Sequence, residues 1–348
     1  MSNQPVLYKQ PSAWTLPSAS TACVQIETYL RLGGASFQVR ECSTNSKSPT
    51  GQLPAIEQGQ DIGGMLHSSC PTSSSDQGVL GEFRAARLTI DFAKRHAVDL
   101  DQHLSDAQRA ELLAYRTLIQ TNLETATLFS AWCEPIGYTE IKKVMSPLPF
   151  PLNYIIPWSQ SREVKKKYAD LDASQIYSEA GDVITALGDR IRASQGAFFF
   201  GSRPCSLDAL VFGHLLYYRL SPAAPPVLKE KVLHHTALST YVEYIMREYF
   251  STPALPAPPR TAPNTQGEET ADAWGSSDWS DAAKGQKTKQ RKTEPTEAEK
   301  SFKYYSRLWL IGTGAAMLGY VVMSGQYVKI VDVGSSLLEH GDDDDDDE

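Results

Sequence analysis

Hydrophobic positions in the first hundred residues alternate between short strand-like runs and helix-like spacings. Apolar runs predict strands at 6–8, at 37–39 and directly after Pro54. Apolar residues three and four positions apart predict helices over 18–33 and 79–96. This order predicts an N-terminal α/β domain, and the Gly-, Ser- and Gln-rich stretch 59–78 is predicted to be an expanded loop within it.

The Leu53-Pro54 step precedes a short apolar strand. Proline at a strand edge is tolerated because it donates no ladder hydrogen bond, and X-Pro bonds are where cis peptides occur. Pro54 is therefore a possible cis-proline.

From Ser105 onward the periodicity is helical. Ser105 followed by Gln108 is a capping-box signature, and the apolar period that follows it continues to Trp132, with Pro135 expected to end the helix. The run 207–216 offers almost no polar side chain except Asp208 and His214, which predicts a buried central helix. We predict an all-helical domain over 98–250.

The central helix is predicted to begin at a structural cap formed by Cys205, Ser206 and Asp208. Asp208 at the third helical position places a carboxylate at the positive helix end. Cys205 replaces the Ser or Thr that would accept an amide hydrogen bond, a loss of about 1 kcal/mol unless Ser206 takes over.

The stretch 142–158 is interrupted by four prolines, and the intervening run 148–156 is predicted to be an irregular apolar loop. Its apolar side chains indicate a surface that contacts a partner, the alternative being that the stretch folds over its own core. The residues proposed for this surface are Phe150, Tyr154, Ile155 and Trp158. The nearby cations Arg162 and 165–167 either contact anionic lipid headgroups or form a solvated helix face.

The amino-acid composition changes in the C-terminal quarter of the chain. Residues 251–303 are rich in Pro, Thr, Gly and charge, which predicts a disordered linker. An uncharged run at 308–328 is long enough to cross a bilayer, so 304–330 is predicted to be a transmembrane tail anchor, with a buried helix of a globular domain as the alternative. An acidic tail, 331–348, follows it.

Charge on the two sides of this segment predicts its orientation. Residues 284–307 contain eight Lys/Arg and three acidic residues, whereas the tail ends in a run of Asp and Glu. Positive charge stays on the cytosolic side, so the bulk of the chain is predicted to be cytosolic. Small residues spaced by four line one face of the span and either pack against another helix or reflect ordinary membrane-helix composition. These residues are Gly312, Ala315, Ala316 and Gly319.

Composition argues against several functional classes. The net charge of −8 comes from the eight acidic residues at 339 and 342–348, because the remaining chain balances 33 cations with 33 anions. The chain lacks the excess of basic residues that would favour binding to nucleic acid. The five cysteines are scattered without a CxxC pair, and His67 with Cys70 and the pair His234 and His235 are poor metal-ligand sets, so no metal site is predicted.

The βαβ start, the Leu-Pro-Ala step and the helical half together resemble the glutathione transferase architecture, with a thioredoxin-like N-terminal domain over 1–97. Three blocks are more specific and resemble the metaxin family, in its membrane-anchored metaxin-1 type. They are Pro149-Phe-Pro-Leu-Asn-Tyr with Pro157, Phe198-Phe-Phe-Gly with Pro204-x-Ser-Leu-Asp, and Ala315-Ala-Met-x-Gly-Tyr.

The resemblance implies a non-catalytic subunit of the mitochondrial outer-membrane import and β-barrel sorting and assembly machinery, acting as a cytosol-facing adaptor. It implies a single-pass protein with its C-terminal tail in the intermembrane space. The implied partners are a second metaxin, the β-barrel assembly subunit and outer-membrane lipid, without a cofactor.

The alternative is a membrane-anchored glutathione-transferase-like enzyme. Such an enzyme needs a hydroxyl or thiol near the first strand, for which Tyr8 and Ser12 are the candidates. It also needs an acidic residue followed by Ser to hold the glutathione γ-glutamyl end, but Glu82 is followed by Phe83. The sequence therefore favours the adaptor.

Overall fold

A computed structural model describes residues 4–64 and 78–252 and the backbone of 255–256. The N-terminal half of the described chain is built from four strands and two helices. They are β1 (Val6–Lys9), α1 (Thr21–Leu32), β2 (Gln38–Glu41), β3 (Ala55–Gln58), β4 (Asp61–Gly63) and α2 (Val79–His96). The bounds of α2 agree with the predicted helix over 79–96.

The strands form one mixed sheet. Strand β1 lies between β2, which pairs with it in parallel, and β3, which pairs with it antiparallel. Strand β4 continues the sheet beyond β3 as a hairpin. The Leu53–Pro54 peptide that leads into β3 is cis, and the Pro54 carbonyl accepts a hydrogen bond from the Thr89 hydroxyl on α2.

Strand β4 corrects the prediction that 59–78 is a loop throughout. Gly59 has φ +67°, a left-handed conformation that glycine adopts without steric cost, and the chain reverses there. Asp61 then pairs with Gln58 and Gly63 with Ile56. A three-residue strand is too short to show an apolar period, which is why the sequence did not indicate it. Residues 65–77 lie outside the described part of the chain.

The C-terminal half of the described chain is helical. Its helices are α3 (Asp106–Leu118), continued through a π-helical turn (Ile119–Leu123) into α4 (Glu124–Trp132), then α5 (Pro135–Met145), α6 (Leu152–Lys167), α7 (Ala173–Ala193), α8 (Ser206–Leu220), α9 (Pro226–His234) and α10 (Thr236–Tyr249). The capping box predicted at Ser105 and Gln108 is confirmed at the start of α3. Helix α4 ends at Trp132, before Pro135, as predicted, and Pro135 then begins α5, at a position where no amide donor is needed.

Helix α6 shows that the predicted irregular loop over 148–156 is wrong from Leu152 onward. Pro157 lies inside this helix and is buried. The lost hydrogen bond is offset by packing: Val164 is fully buried, and the Ser161 hydroxyl donates to the Trp132 carbonyl at 2.8 Å. Tertiary contacts of this kind override a helix-breaking residue in ways that local sequence does not show.

The start of the predicted disordered linker is also corrected. Leu255–Pro256 forms β5, which pairs in parallel with β2 at the edge of the sheet. An edge strand needs hydrogen bonds on one side only, so proline is tolerated there. The Arg31 guanidinium on α1 donates to the carbonyls of Tyr249 and Thr252 at 2.8 Å and holds the chain near this edge.

The two halves are joined by close packing of α1 against α8. A Cβ built on Gly213 of α8 would lie 2.7 Å from Gln25 Cγ, so only glycine allows this approach. Beside it, His214 is fully buried and burial lowers its pKa to about 3, so the ring is neutral near pH 7. Its two nitrogens lie 3.1 Å from Gln25 Nε2 and 3.0 Å from Thr127 Oγ1. The predicted buried helix is therefore the centre of the domain interface.

Among the helices in the described part of the chain, none has both the length and the apolar character needed to cross a membrane. The predicted anchor at 304–330, its small-residue face and the acidic tail all lie outside the described residues.

Candidate functional site

Tyr8, a candidate for stabilising the thiolate of glutathione, lies in β1. Its side chain is buried, its hydroxyl donates to the Glu57 carboxylate, and the same oxygen accepts a hydrogen bond from the Arg40 guanidinium at 3.2 Å. That guanidinium also lies over the ring, 5.3 Å from its centroid. A hydroxyl engaged in this way is a structural group of the sheet rather than one presented to a substrate.

Ser12 has a different environment. It is exposed and lines a cleft of about 870 Å³ together with Asn45 from the segment after β2. The opposite wall is made by α5, α6 and their connection, including Lys143, Leu148 and Gln160. Neither Pro54 nor Glu82 is among the described residues that line this cleft.

Glu82 in the first turn of α2 points to the start of α1. Its Oε2 accepts a hydrogen bond from the Ser20 hydroxyl at 2.9 Å, and Ser20 is itself the N-cap of α1. Burial raises the pKa of Glu82 to about 7, and the Glu124 carboxylate also raises it, whereas the Ser20 hydrogen bond lowers it. One carboxylate oxygen of Glu82, Oε2, is thus already bonded within the protein to the N-cap of α1.

The predicted cap of α8 is more extensive than the sequence indicates. Both carboxylate oxygens of the fully buried Asp208 are used. Oδ1 accepts from the Phe199 amide at 3.1 Å and the Tyr241 hydroxyl at 3.0 Å. Oδ2 accepts from the Cys205 amide at 2.8 Å and its thiol at 3.0 Å. Asp208 therefore joins the start of α8 to the preceding apolar turn and to α10.

Ser206 is held by a residue that sequence reasoning missed. The Asp101 carboxylate, in the connection between α2 and α3, accepts from the Ser206 amide at 2.8 Å and its hydroxyl at 2.7 Å. It also accepts from Lys94 at 2.7 Å. Burial alone would raise the pKa of Asp101, but these hydrogen bonds hold it below its usual value. Asp101 lies 105 positions before Ser206, so no local pattern indicates the pairing.

The four residues predicted to contact a partner lie together at the junction of α5 and α6, and we call them the aromatic tip. The exposed fractions are 82% for Phe150, 58% for Tyr154, 44% for Ile155 and 56% for Trp158. The Phe150 and Tyr154 rings meet edge to face, with centroids 6.3 Å apart. The aromatic tip is thus an apolar surface open to solvent in the described chain.

Cations surround this tip. The Arg162 guanidinium lies 5.7 Å from the Trp158 ring centroid, and Lys142 Nζ lies 6.0 Å from that of Tyr154. Lys165, Lys166 and Lys167 are exposed at the end of α6. Within the described residues no group of three His, Cys, Asp or Glu could hold a metal ion. His67 and Cys70, which the sequence indicates to be a poor metal-ligand set, lie outside the described residues.

Comparison with known proteins identifies the relationship. A family model described as "Outer mitochondrial membrane transport complex protein" matches residues 23–161, and "Glutathione S-transferase, C-terminal domain" matches 180–245. Metaxin-2 of Mus musculus is 28% identical over 244 residues, which cover 68% of this chain and 84% of the relative. Metaxin-1 of Mus musculus is 28% identical over 281 residues, which cover 75% and 81%. The chain is therefore similar to members of the metaxin family.

Metaxin-1 and Metaxin-2 match at the same identity, so the similarity does not distinguish them and the metaxin-1 type stays a prediction. The fold is glutathione-transferase-like, with an N-terminal α/β domain and a helical C-terminal domain, as predicted. A solved glutathione S-transferase of Ceriporiopsis subvermispora in complex with glutathione covers 72% of this chain and 99% of its own, with 10% identity and a TM-score of 0.48.

Proposed function

We propose that this chain is a non-catalytic subunit of a protein import and β-barrel sorting and assembly complex in the mitochondrial outer membrane, acting as a cytosol-facing adaptor. The observation that carries the proposal is the match of the outer-membrane transport complex model to residues 23–161. Relatives named Metaxin-1 and Metaxin-2 support it.

The geometry of the transferase-like half supports an adaptor over an enzyme. The Tyr8 hydroxyl is bonded to Glu57 and Arg40, and the Glu82 carboxylate is bonded to Ser20. An enzyme of this type needs such groups free to meet glutathione. Their engagement within the protein favours a scaffold whose surface, rather than its cleft, carries the function.

We further propose that 304–330 anchors the chain in the membrane as a single-pass tail anchor, with 331–348 in the intermembrane space. The proposed partners are a second metaxin and the β-barrel assembly subunit. Outer-membrane lipid is the third proposed partner, and the aromatic tip is a proposed contact surface because four large apolar side chains on one junction are exposed.

The test is crosslinking and affinity capture of the full chain from mitochondria, with and without alkaline carbonate extraction. We expect the chain to resist carbonate and to be captured with a β-barrel assembly subunit and another metaxin. Loss of the chain into the carbonate supernatant would overturn the anchor, and capture without any outer-membrane assembly protein would overturn the adaptor.

One observation favours the alternative enzyme: Ser12 is exposed in the cleft at the end of β1. Glutathione conjugation by the full chain, abolished by Ser12→Ala and unaffected by Tyr8→Phe, would establish that activity. We expect no conjugation above the level of the Ser12→Ala variant.

A further inference from the structure

We propose that the aromatic tip, with the cations beside it, is a docking surface for the anionic lipid headgroups of the membrane to which the chain is anchored. This inference rests on the proposed function, because that function places the chain at a membrane. It assigns the occupant of the exposed surface from the chemistry of the surface itself.

The two helices that carry the tip, α5 and α6, are positively charged. From Pro135 to Lys167 there are six Lys or Arg residues and two Glu residues. All six cations are exposed, and the ion pair of Glu140 with Lys143 leaves five of them against one acid, Glu163. Positive charge of this density is complementary to the negative surface of an anionic membrane.

Cations and aromatic rings lie close together on this surface. Lys142 Nζ lies 5.6 Å from the Tyr138 ring centroid as well as 6.0 Å from that of Tyr154, and Arg162 lies over Trp158. Tyr and Trp side chains favour the depth where acyl chains meet headgroups, and the stems of Lys and Arg let their charges reach the phosphates. The tip therefore places apolar rings and cations side by side, as a headgroup region requires.

The residue composition of this surface distinguishes a lipid-binding surface from a protein interface. Aromatic residues and Arg are enriched in protein interfaces, but Lys is depleted there because its hydrated ammonium is costly to bury. Five of the six cations here are Lys. A surface of exposed rings bordered by Lys fits a wet, anionic headgroup layer better than a dry protein interface.

The most exposed ring of the tip, Phe150, lies in the connection between α5 and α6. The proposed anchor at 304–330 would keep the folded part near the bilayer, so a weak contact would be sufficient to orient the chain.

The experiment places a photoreactive benzoylphenylalanine at position 154 of the full chain, reconstituted in phosphatidylcholine vesicles with or without roughly 20% phosphatidylserine. The matched control carries the same residue at Val227 on α9, which is 55% exposed. We expect a lipid adduct at position 154 that exceeds the control about fivefold, needs phosphatidylserine, and weakens with added salt.

A variant with Lys165→Gln, Lys166→Gln and Lys167→Gln is expected to reduce the adduct at position 154 without changing the melting temperature, because all three side chains are exposed. Equal adduct at 154 and 227, or no dependence on phosphatidylserine, would overturn the inference. So would a protein adduct in place of lipid when the same chain is irradiated in mitochondria. If carbonate removes the chain, the anchor fails, whereas the lipid contact is still decided by the adduct on vesicles.

Discussion

Replacement of Asp208 tests whether this buried carboxylate holds the helical domain together. In Asp208→Ala the amides of Phe199 and Cys205 lose their acceptor, while the Tyr241 hydroxyl keeps the backbone carbonyl of residue 208 at 3.2 Å. Each buried donor left unpaired costs about 1–3 kcal/mol, so two of them predict a loss of about 4 kcal/mol. That is a large share of the roughly 5–15 kcal/mol of a typical domain.

Asp208→Asn distinguishes the hydrogen bonds from the volume of the side chain. The amide oxygen can serve the Phe199 amide and Tyr241, but the amide nitrogen then faces the Cys205 N–H, which is also a donor. One unsatisfied contact predicts a loss of about 2 kcal/mol, between wild type and Asp208→Ala.

The assay is urea unfolding followed by circular dichroism, with Asp189→Ala as the control. Asp189 is exposed and paired with Arg192 within its own helix, so its loss is expected to cost less than about 0.5 kcal/mol. An unfolding free energy for Asp208→Ala within about 1 kcal/mol of wild type would refute the reasoning. Equal losses for the Ala and Asn variants would show that the hydrogen bonds to Cys205, which both variants lack, carry the cost rather than the volume of the side chain.

Three further outcomes are expected. The pKa of Glu82 is about 7 in the fold, against 4.5 ordinarily. The folding stability that this raised pKa contributes is therefore fully present below pH 4.5 and is lost as the pH rises through 7. Glu82→Gln is therefore expected to be near neutral at pH 5 and to stabilise by about 2 kcal/mol at pH 8, a value reduced for partial exposure; equal effects of Glu82→Gln at both pH values in urea unfolding would contradict this. Asp101→Ala and Ser206→Ala are expected to couple by about 1 kcal/mol in a double-mutant cycle, and additive losses would show that their hydrogen bonds contribute little. Polar replacement of Phe150 and Trp158 is expected to leave the melting temperature unchanged within about 2 °C, since neither is buried, and a larger fall would mean that the tip packs on its own core.

Sequence reasoning was most successful where structure depends on neighbouring residues. The capping box at Ser105 and the bounds of α2 follow from side chains three or four positions apart, and both are confirmed. Local patterns of this kind carry their own hydrogen bonds or apolar face, so distant residues are not needed to specify them.

Where distant contacts decide, the sequence was a poor guide. Helix α6 contains Pro157 because Ser161 and Val164 are held by other helices. Asp101 holds Ser206 across 105 positions. The engagement of Glu82 by Ser20 likewise joins two helices that only the fold brings together. None of these pairings leaves a periodic trace along the chain.

Strand β5 has a practical consequence for shortening the polypeptide. A fragment stopped at Phe250 would remove Leu255 and Pro256 from the flank of β2 and would take the Thr252 carbonyl away from Arg31. Unpaired backbone N–H and C=O groups at the edge of a sheet can form hydrogen bonds with the same edge of another molecule. Recombinant fragments cut there are expected to self-associate, and those that retain residues to about position 260 are expected to stay monodisperse at the same concentration.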